Sequence, residues 1–582
     1  MRKANTVAGS IKAISCRCCA SEKRNCAAIY GRCMLVRAMG RSRTIRASKW
    51  SGVAAAGLAA VLAPFAICLP QAAASSPKQV VSFGENIWGQ LGNAGYVESV
   101  PTPAAVTLPG ATDSPLQVAV GADHSIVLTS GGQIYTFGTG GLGSGNRYSE
   151  FRTPVAITLP GATGPPVQAA AGVSFSLVLT ASGQLYTFGS DDAGELGDGK
   201  SSYEENPTPE AIALPGATGS PVQVAAGREF SLVLTSSGQL YAFGGDSNGE
   251  LGDGSDNYEG VSTPEAIVLP GATGSPVQVA AGEYHSLVLT SSGQLYTFGD
   301  DGSGQLGNGD TTSRSTPEAI TLPGATGPIV QIAAGWEFSL ALTSTGQLYA
   351  FGNDEYGQLG NGKSDTEPHS TPEAIALAGA KGSIKEIAAG RNHSLVVTRS
   401  GQLFAFGSDQ YGQLGNGKTE ETPSSTPALV ALSHVKSVAR GSSANHVLAI
   451  VPVPPPPLAV TTTTLPEGKQ GAFYVATATA TGGTPPLRWS AGGLPRGLWI
   501  DAHSGQIHGV PAASGESTVT LTATDAEGVT AESAPIKLVI AAVECGHAGG
   551  GRCHPCRSRR IRCCTSRHGG EKIAERSCSH RH

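Results

Sequence analysis

Cysteine is missing from the central part of this chain. The 582 residues include 12 cysteines, but none lies between Lys78 and Ala542. A region of this length can be stable without disulfides, so their absence says little about the cellular compartment. It does exclude disulfide bonds and cysteine chemistry from the central region.

Basic residues are also scarce there. Residues 51–543 contain 18 Lys and Arg against 40 Asp and Glu, a net charge of about −22, whereas residues 1–50 contain 12 Lys and Arg against one Glu. Affinity for nucleic acid comes largely from Lys and Arg side chains that neutralise phosphates. We therefore expect no nucleic acid among the partners.

Catalytic signatures are lacking as well. The sequence has no His-Glu-x-x-His motif, and no acid, base or nucleophile is identifiable. Three segments match the pattern G-x-x-x-x-G-K-[ST], namely Gly194–Ser201, Gly357–Ser364 and Gly412–Thr419. A phosphate-binding loop needs a helix directly after it, but prolines follow these segments closely. They are predicted to be repeat turns, and the protein is not expected to be an enzyme.

Glycine and proline, in contrast, are abundant. With 79 Gly and 37 Pro they make up about a fifth of the chain. Glycine does not recur at every third position, which excludes a collagen-like chain, and the 40% hydrophobic content argues against general disorder. Together with many Val, Thr, Leu and Phe residues, this composition predicts all-β structure with many turns.

A repeat of 51–55 residues runs through the central region. It is marked by Phe-Gly dipeptides at Phe83, Phe137, Phe188, Phe243, Phe298, Phe351 and Phe406. A short apolar strand that begins at Ser125, Ser176, Ser231, Ser286, Ser339 or Ser394 precedes six of these phenylalanines by 12 residues. Each unit contains four short strands, the fourth predicted at Pro264–Pro270 in one unit, and no helical period. These features predict a β-propeller.

The two ends of the repeat array complement each other. A seventh copy of the apolar strand begins at Val447, but the Phe-Gly expected after it is replaced by a proline run, Pro454–Pro457. Val80–Gly84 provides the missing strand at the other end. The predicted fold is therefore all-β: a seven-bladed propeller over residues 78–452, closed by pairing of its terminal strands.

The repeat phrases also carry a resemblance. Ala-Ala-Gly-x-x-His/Phe-Ser-Leu-Val-Leu-Thr, Gly-Gln-Leu-Tyr-x-Phe-Gly and Gly-Gln-Leu-Gly-Asn-Gly resemble the regulator of chromosome condensation repeat family over residues 78–452. The founder of that family is a guanine-nucleotide exchange factor on a seven-bladed propeller. The resemblance implies the scaffold, and it makes exchange on a small GTPase the alternative function, because function depends on sites added to a fold.

A second module follows a proline-rich linker at residues 453–457. Residues 458–542 alternate apolar and polar side chains, and the phrases Leu494–Asp501, Ser504–Pro511 and Thr522–Gly528 resemble the immunoglobulin-like domain of bacterial surface proteins. Without cysteine, a β-sandwich in this region has no inter-sheet disulfide.

The N-terminal segment has the pattern of an export signal. Arg and Lys residues at 41–49 precede the uncharged stretch Ser51–Leu69, and Ala72-Ala73-Ala74 follows. A basic region, an apolar region and an Ala-x-Ala site predict a signal peptide at residues 34–74, cleaved between Ala74 and Ser75. Residues 1–33 are then either an extension that precedes the true start of the protein or a disordered segment.

The C-terminal residues 543–582 are rich in Cys, His and Arg without a period, and we expect a disordered tail. Cys553-His-Pro-Cys556 followed by Cys563-Cys564 could ligate zinc, but no apolar core flanks it. No metal or cofactor is therefore expected. Calcium could bind the acidic turns, but their spacing does not support a site. Those turns contain Asp191, Asp192, Glu195 and Asp198; Asp246, Glu250, Asp253 and Asp256; and Asp300 and Asp301, expected to be solvated.

Two sets of repeat residues are candidates for function. One set places an aromatic residue close to a glutamate in loops of four successive repeats: Tyr96 and Glu98, Tyr148 and Glu150, Tyr203 and Glu204, and Tyr258 and Glu259. Surface aromatics on loops favour binding, although packing against their own blade is the alternative. The other set, His124, His285, His393 and His446, alternates with phenylalanine, which indicates packing with the imidazole bonded to a backbone carbonyl.

These patterns lead to one functional expectation. The protein is a secreted or cell-surface, non-enzymatic recognition protein, expected to be a monomer, whose propeller face binds a protein or glycan ligand.

Export is directly testable. We expect the mature protein to begin at Ser75, because signal peptidases cleave after Ala-x-Ala. N-terminal sequencing of the protein from fractionated cells measures this. Intact protein in the cytosol that begins at Met1 or Met34 would contradict the prediction.

Overall fold

The computed structural model describes residues 77–543, and every regular element within that range is a β-strand. Seven four-stranded antiparallel sheets form the blades of a propeller, and sheets of two, three and five strands form a β-sandwich module. The first strand of each blade lies beside the first strands of its neighbours and lines a central channel. The fourth strand lies at the outer edge.

The strands of blades 1–6 follow one another along the chain. Blade 1 comprises Pro115–Val120, His124–Thr129, Ile134–Thr139 and Glu150–Ile157; blade 2 Pro166–Ala171, Phe175–Thr180, Leu185–Asp191 and Ser202–Ile212; blade 3 Pro221–Ala226, Phe230–Thr235, Leu240–Asp246 and Asn257–Ile267; blade 4 Pro276–Ala281, His285–Thr290, Leu295–Gly299 and Arg314–Ile320; blade 5 Ile329–Ala334, Phe338–Thr343, Leu348–Asp354 and Asp365–Ile375; blade 6 Ile384–Ala389, His393–Thr398, Leu403–Asp409 and Glu420–Leu429.

Blade 7 confirms the predicted closure. Its strands are, in order from the channel, Ser437–Val438, His446–Pro452, Lys78–Glu85 and Ser99–Val106. The N-terminal strand pairs antiparallel with His446–Pro452 over seven residue pairs, from Lys78 opposite Pro452 to Gly84 opposite His446. Phe83 is fully buried in this blade. The ring is therefore closed by hydrogen bonds and apolar packing alone.

The hydrophobic core is a series of clusters between adjacent blades. One cluster joins Phe230 and Leu232 of blade 3 to Val288 and Phe298 of blade 4. A buried tyrosine in the third strand of blades 1–5 donates its hydroxyl hydrogen bond to the proline carbonyl of the connection that precedes its blade, as Tyr241 does to Pro215 at 2.9 Å. The Gln-Leu-Tyr and Leu-Pro-Gly phrases therefore tie each connection to its sheet.

The outer strand of blade 3 is longer than predicted. It spans Asn257–Ile267, whereas the sequence pattern placed it at Pro264–Pro270. The ladder shifts register on either side of Gly244, and pairing resumes with Asp246 opposite Asn257. At a β-bulge, extra residues of one strand remain unpaired, and the strand continues when regular pairing resumes beyond them.

The four repeat histidines are packing residues, although their partner was not the predicted one. Burial lowers the pKa of His124 and His393 to about 4 and that of His285 and His446 to about 3, so all four rings are neutral. The Nε2 atom of His124 lies 2.9 Å from the hydroxyl of Ser176 in the next blade. The same bond joins His285 to Ser339 and His446 to Ser125. The imidazole therefore bonds to a serine hydroxyl rather than to a backbone carbonyl. The reason is that the serine of the repeat in the next blade lies beside the ring.

The segments that match a phosphate-binding pattern are turns, as predicted. Gly194, Gly357 and Gly412 each have positive φ and begin a tight turn, with the amide of Gly197 bonded to the carbonyl of Gly194 at 3.1 Å. Within residues 77–543 no helix follows them, and none is long and apolar enough to span a membrane.

The second module is a β-sandwich with its own core. Its strands are Ala459–Val460, Gly468–Lys469, Tyr474–Thr477, Ala480–Thr481, Arg488–Gly492, Leu498–Ile500, Gln506–Gly509, Gly515–Thr524, Thr530–Glu532 and Ile536–Ala541. Trp489, Ile507, Leu521 and Leu538 are buried between its sheets. The proposed signal peptide and the Cys-rich tail lie outside the described residues.

Closure can be tested with two N-terminal truncations. A protein that begins at Pro77 keeps the closing strand, whereas one that begins at Asn86 lacks it. We expect the shorter protein to melt at lower temperature and to aggregate, because both neighbouring strands of blade 7 then expose unpaired edges. Thermal melting and size-exclusion chromatography measure the two effects. Equal melting temperatures and elution volumes would show that the closing strand is dispensable.

Candidate functional site

Two sets of loops form one face of the propeller. The first set joins the first and second strands of each blade, and the second set joins the third and fourth strands. Within a blade the two loops lie side by side and are joined by backbone hydrogen bonds. The amide of Gly245 in blade 3 bonds to the carbonyl of Glu229, and the amide of Asn353 in blade 5 bonds to the carbonyl of Glu337, each at 2.8 Å. We call this surface the acidic face. Its loops in blades 2–5 contain Asp192, Asp198, Glu229, Asp253, Asp256, Asp300, Asp310, Glu337 and Glu355.

The four predicted tyrosines all lie on the acidic face, and their rings are open to solvent. Tyr96, Tyr148, Tyr203 and Tyr258 are 87%, 93%, 94% and 87% exposed. Packing against their own blades is therefore not their role. The predicted loop placement is correct for Tyr96 and Tyr148 but wrong for the other two. Tyr203 and Tyr258 are the second residues of long outer strands, which continue past bulges toward the loop.

Two of the four glutamates form ion pairs, one within its own strand and one with the preceding blade. Arg152 of blade 1 lies over the ring of Tyr96 from blade 7, 4.4 Å from its centroid, and forms an ion pair with Glu150 at 2.7 Å. Arg147 of blade 1 forms an ion pair with Glu204 of blade 2 at 2.6 Å. The structure thus connects blades 7, 1 and 2, while Glu98 and Glu259 have no ion-pair partner among the described residues.

Tyr148 stands in an unusual backbone conformation. Its φ of 61° lies in the left-handed region, which bulky residues other than glycine seldom adopt. Hydrogen bonds of the turn hold it there, with the Ser149 hydroxyl donating to the carbonyl of Asn146 at 2.8 Å. Strain of this kind persists only where the surroundings fix it, and it concentrates at functional sites.

A second group of residues on this face escaped the sequence analysis. Arg228, Glu283, Tyr284, Trp336 and Arg391 surround the mouth of the channel, and we call them the mouth cluster. Arg391 lies 3.8 Å from the Trp336 ring centroid, and Arg228 lies 5.4 Å from that of Tyr284. Arg228 also forms an ion pair of 2.7 Å with the buried Glu283. Desolvation raises the pKa of Glu283 to about 7, and Arg228 opposes that rise.

Backbone bonds fix the mouth cluster in place. The amide of Arg228 bonds to the carbonyl of Glu283 at 3.2 Å, that of Glu283 to Trp336 at 3.1 Å, and that of Trp336 to Arg391 at 3.1 Å. Arg228, Glu283, Trp336 and Arg391 occupy one repeat position, directly after the glycine that follows the first strand. Because these bonds between blades join backbone atoms, the residue type at this position can differ from blade to blade. A repeat position with a different residue type in each blade was the sequence signal that could have identified the cluster.

Several acids of the turns are buried, contrary to the expectation of solvated charge. Asp191, Asp246 and Asp301 each accept a hydrogen bond from a leucine amide five residues later, at 3.1, 3.0 and 2.9 Å. They cap the turn as aspartate commonly does. Desolvation raises the pKa of Asp191 and Asp246 to about 6 and that of Asp301 to about 7. Within residues 77–543 no group of three or more His, Cys, Asp or Glu side chains could hold a metal ion.

Two buried glutamates, Glu195 and Glu250, replace a glutamine that blades 4–7 carry at the same repeat position. Gln305 of blade 4 accepts a backbone hydrogen bond at 2.9 Å and donates to Asp300 at 2.7 Å. Glu195 and Glu250 make the same backbone contact, at 2.9 and 2.7 Å. The other oxygen of Glu195 has no partner among the described residues. Desolvation raises the pKa of Glu195 to about 7 and that of Glu250 to about 8.

The acidic face is thus equipped for non-covalent recognition. It presents exposed phenol rings, solvated carboxylates and a central cluster of Trp, Tyr and Arg side chains. Aromatic faces and carboxylates both attract cationic side chains. Carboxylates repel phosphates, so the chemistry favours a basic protein surface.

Comparison with known proteins gives concordant matches. The model of the RCC1-like domain matches residues 79–449, and an Ig domain model matches residues 451–541. The ultraviolet-B receptor UVR8 of Arabidopsis thaliana is 33% identical over 52% of this chain and 67% of its own length. The regulator of chromosome condensation of Xenopus laevis is 31% identical over 55% of this chain and 78% of its own length.

Other matches cover unequal shares. The human E3 ubiquitin-protein ligase HERC2 is 30% identical over 64% of this chain, which corresponds to only 8% of its own length. The crystal structure of human WBSCR16 superimposes with a TM-score of 0.58 at 25% identity, over 64% of this chain and 98% of that one.

The buried glutamates predict a pH-dependent stability. Both have a folded pKa above the usual 4.5, so the folded state favours the neutral form and loses stability as pH rises from about 4.5 to 8. Glu195→Gln with Glu250→Gln should therefore stabilise the protein at pH 8, on the order of 2 kcal/mol per site, and change little at pH 4.5. Denaturant unfolding at both pH values measures this. The exposed Asp256→Asn is the control, and an equal gain at both pH values would contradict the assignment.

Proposed function

The chain belongs to the RCC1-like domain family, and from that premise we propose that its propeller is a non-enzymatic protein-recognition platform whose acidic face binds a basic protein surface. The observation that carries the proposal is the set of four tyrosines, each at least 87% exposed, on successive blades of that face. Aromatic side chains are enriched in protein interfaces relative to the rest of the protein surface.

Charge supports a basic partner. Residues 51–543 carry a net charge of about −22, and the exposed acids of blades 2–5 are concentrated on this face. Complementary charge mainly raises the rate and selectivity of association. The phenol rings supply apolar contact area, and Lys or Arg side chains of the partner can stack on them, as Arg152 already stacks on Tyr96 at 4.4 Å.

The mouth cluster supports a contact centred on the channel. Trp and Arg are the residues most enriched among those that dominate binding energy, and Trp336 and Arg391 are stacked at 3.8 Å beside the channel. The backbone bonds around the mouth hold these side chains before binding, which reduces the entropic cost of association. We place the tyrosines at the periphery of the contact and the mouth cluster at its centre.

The proposal includes export, since the predicted cleavage between Ala74 and Ser75 would deliver the propeller to the cell surface or medium. There the partner would be a surface protein, and a glycan is the competing ligand. The second candidate function is guanine-nucleotide exchange on a small GTPase. It is favoured by the 31% identity to a regulator of chromosome condensation. An exchange factor has to act inside the cell, so the N-terminal sequence of the mature protein separates the two.

The role of the tyrosines can be measured with a quadruple variant, Tyr96→Ala, Tyr148→Ala, Tyr203→Ala and Tyr258→Ala. Removing exposed rings should change the free energy of unfolding by no more than about 0.5 kcal/mol each. Affinity for a fluorescein-labelled peptide of alternating Arg and Leu should fall about tenfold or more, because both stacking and apolar contact are lost.

The control carries Val268→Ala and Leu429→Ala, two exposed apolar side chains outside the acidic face. It should bind the peptide as the wild type does. Unchanged affinity of the quadruple variant for the peptide, or a neutral oligosaccharide that binds the wild type but not the quadruple variant, would argue against a basic protein partner on the tyrosines.

A further inference from the structure

The face opposite the acidic face has a different charge pattern. It is formed by the hairpins between second and third strands and by the connections to the next blade, which lie together through bonds such as that from the Ser236 amide to the Ser220 carbonyl at 2.8 Å. Within residues 77–452 these segments contain one acid, Asp113, whereas blades 6 and 7 place Lys381, Arg399 and Lys436 there. A basic patch thus stands on one side of an otherwise nearly neutral surface.

A ring of glutamines lines the channel and links the blades. Gln117 accepts a hydrogen bond from the amide of Ala169 at 2.7 Å and donates to its carbonyl at 2.9 Å. Gln168, Gln223 and Gln278 make the same two-way contact with the next blade. In blades 2–5 the first strand therefore has one backbone amide and one carbonyl bonded to the glutamine of the preceding blade.

Blades 6 and 7 interrupt this ring. Glu386 and Ser437 occupy the glutamine position, and Arg440 stands where blades 2–6 have alanine. Arg440 lines a cavity of about 300 Å³ within the channel and a second of about 490 Å³ that opens on the opposite face beside Lys385 and Arg399. The Arg440 side chain is exposed to solvent inside the channel, and the surrounding channel wall is protein. Desolvation lowers the pKa of Arg440, and Glu386 opposes that effect.

The residue before each glutamine completes the mouth on this face. In blades 1–5 it is aliphatic and half-exposed, 40–50% in every case. These residues, which we call the aliphatic arc, are Leu116, Val167, Val222, Val277 and Val330. In blades 6 and 7 the same position is Lys385 and Lys436. Among the described residues no carboxylate forms an ion pair with Lys385, Lys436, Arg399 or Arg440.

We propose that this mouth of the channel binds an extended acidic peptide segment of a partner protein, with its carboxylates against Lys385, Lys436 and Arg440 and its aliphatic side chains against the aliphatic arc. Arg and Lys bind carboxylates by charge-assisted hydrogen bonds, and burial of apolar area adds affinity. A lipid bilayer or a nucleic-acid duplex is too wide to enter a channel of this size, and neither would use the aliphatic arc in the channel wall.

The chain offers a variant that should fold well. Lys385→Val, Lys436→Val and Arg440→Ala introduce the residues that other blades carry at these positions, so the melting temperature should not fall. Binding of a fluorescein-labelled hexapeptide of alternating Glu and Val to the full chain, followed by fluorescence anisotropy, should weaken about tenfold or more. The matched control is Lys200→Val, Lys363→Val and Lys418→Ala, which removes three positive charges from the acidic face and should bind as the wild type does.

Two further probes decide the chemistry of the ligand. A Glu-Ser hexapeptide should bind more weakly than the Glu-Val peptide, because it cannot bury apolar area. Inorganic phosphate at equal charge concentration should not displace the Glu-Val peptide. Equal affinity of the channel variant and the control, equal binding of the two peptides, or displacement by phosphate would each overturn the proposal. The quadruple tyrosine variant should bind the Glu-Val peptide normally, so this test is independent of the acidic face.

Discussion

The pairing of Lys78–Glu85 with His446–Pro452 is the constraint on which the propeller depends. Each apolar cluster is shared between two blades, so every blade needs a neighbour on both sides to bury its faces. Only a closed ring provides this, and the chain closes it by letting the N-terminal strand complete the last blade. Because the central region has no cysteine, seven backbone residue pairs and the buried Phe83 perform the task of a covalent link.

Around the channel, backbone and side chain divide the work of holding the blades together. The glutamine ring bonds the first strands, and the amides of Arg228, Glu283 and Trp336 bond the loops above them. Both sets of bonds end on backbone groups of the receiving blade, so they do not restrict which residue stands at those positions. Side chains beside these bonds can therefore differ from blade to blade without loss of the ring, and that freedom lets a symmetrical scaffold carry asymmetric surfaces.

The sequence predicts most of the fold because period and strand pattern are local, and the missing half-repeat at each end determines closure. The features it failed to predict depend on distance in space. The outer strand at Asn257–Ile267 extends because pairing resumes beyond a bulge. Asp191 and Asp246 look like solvated acids until their caps are seen. Trp336 and Arg391 are 55 positions apart, so their stacking shows only once adjacent blades are in contact.

Departures from a repeat carry different weight according to how they are distributed. A single change in one blade can be neutral drift, because the other copies show that the scaffold tolerates the common residue. In blades 6 and 7, however, Lys385, Lys436 and Arg440 make three changes at two repeat positions of the first strand, all toward positive charge. This occurs in a region whose net charge is about −22, where added cations would be drawn to the abundant acids. They lie instead at a channel mouth without ion-pair partners among the described residues, at a cost in mutual repulsion that a bound carboxylate would relieve.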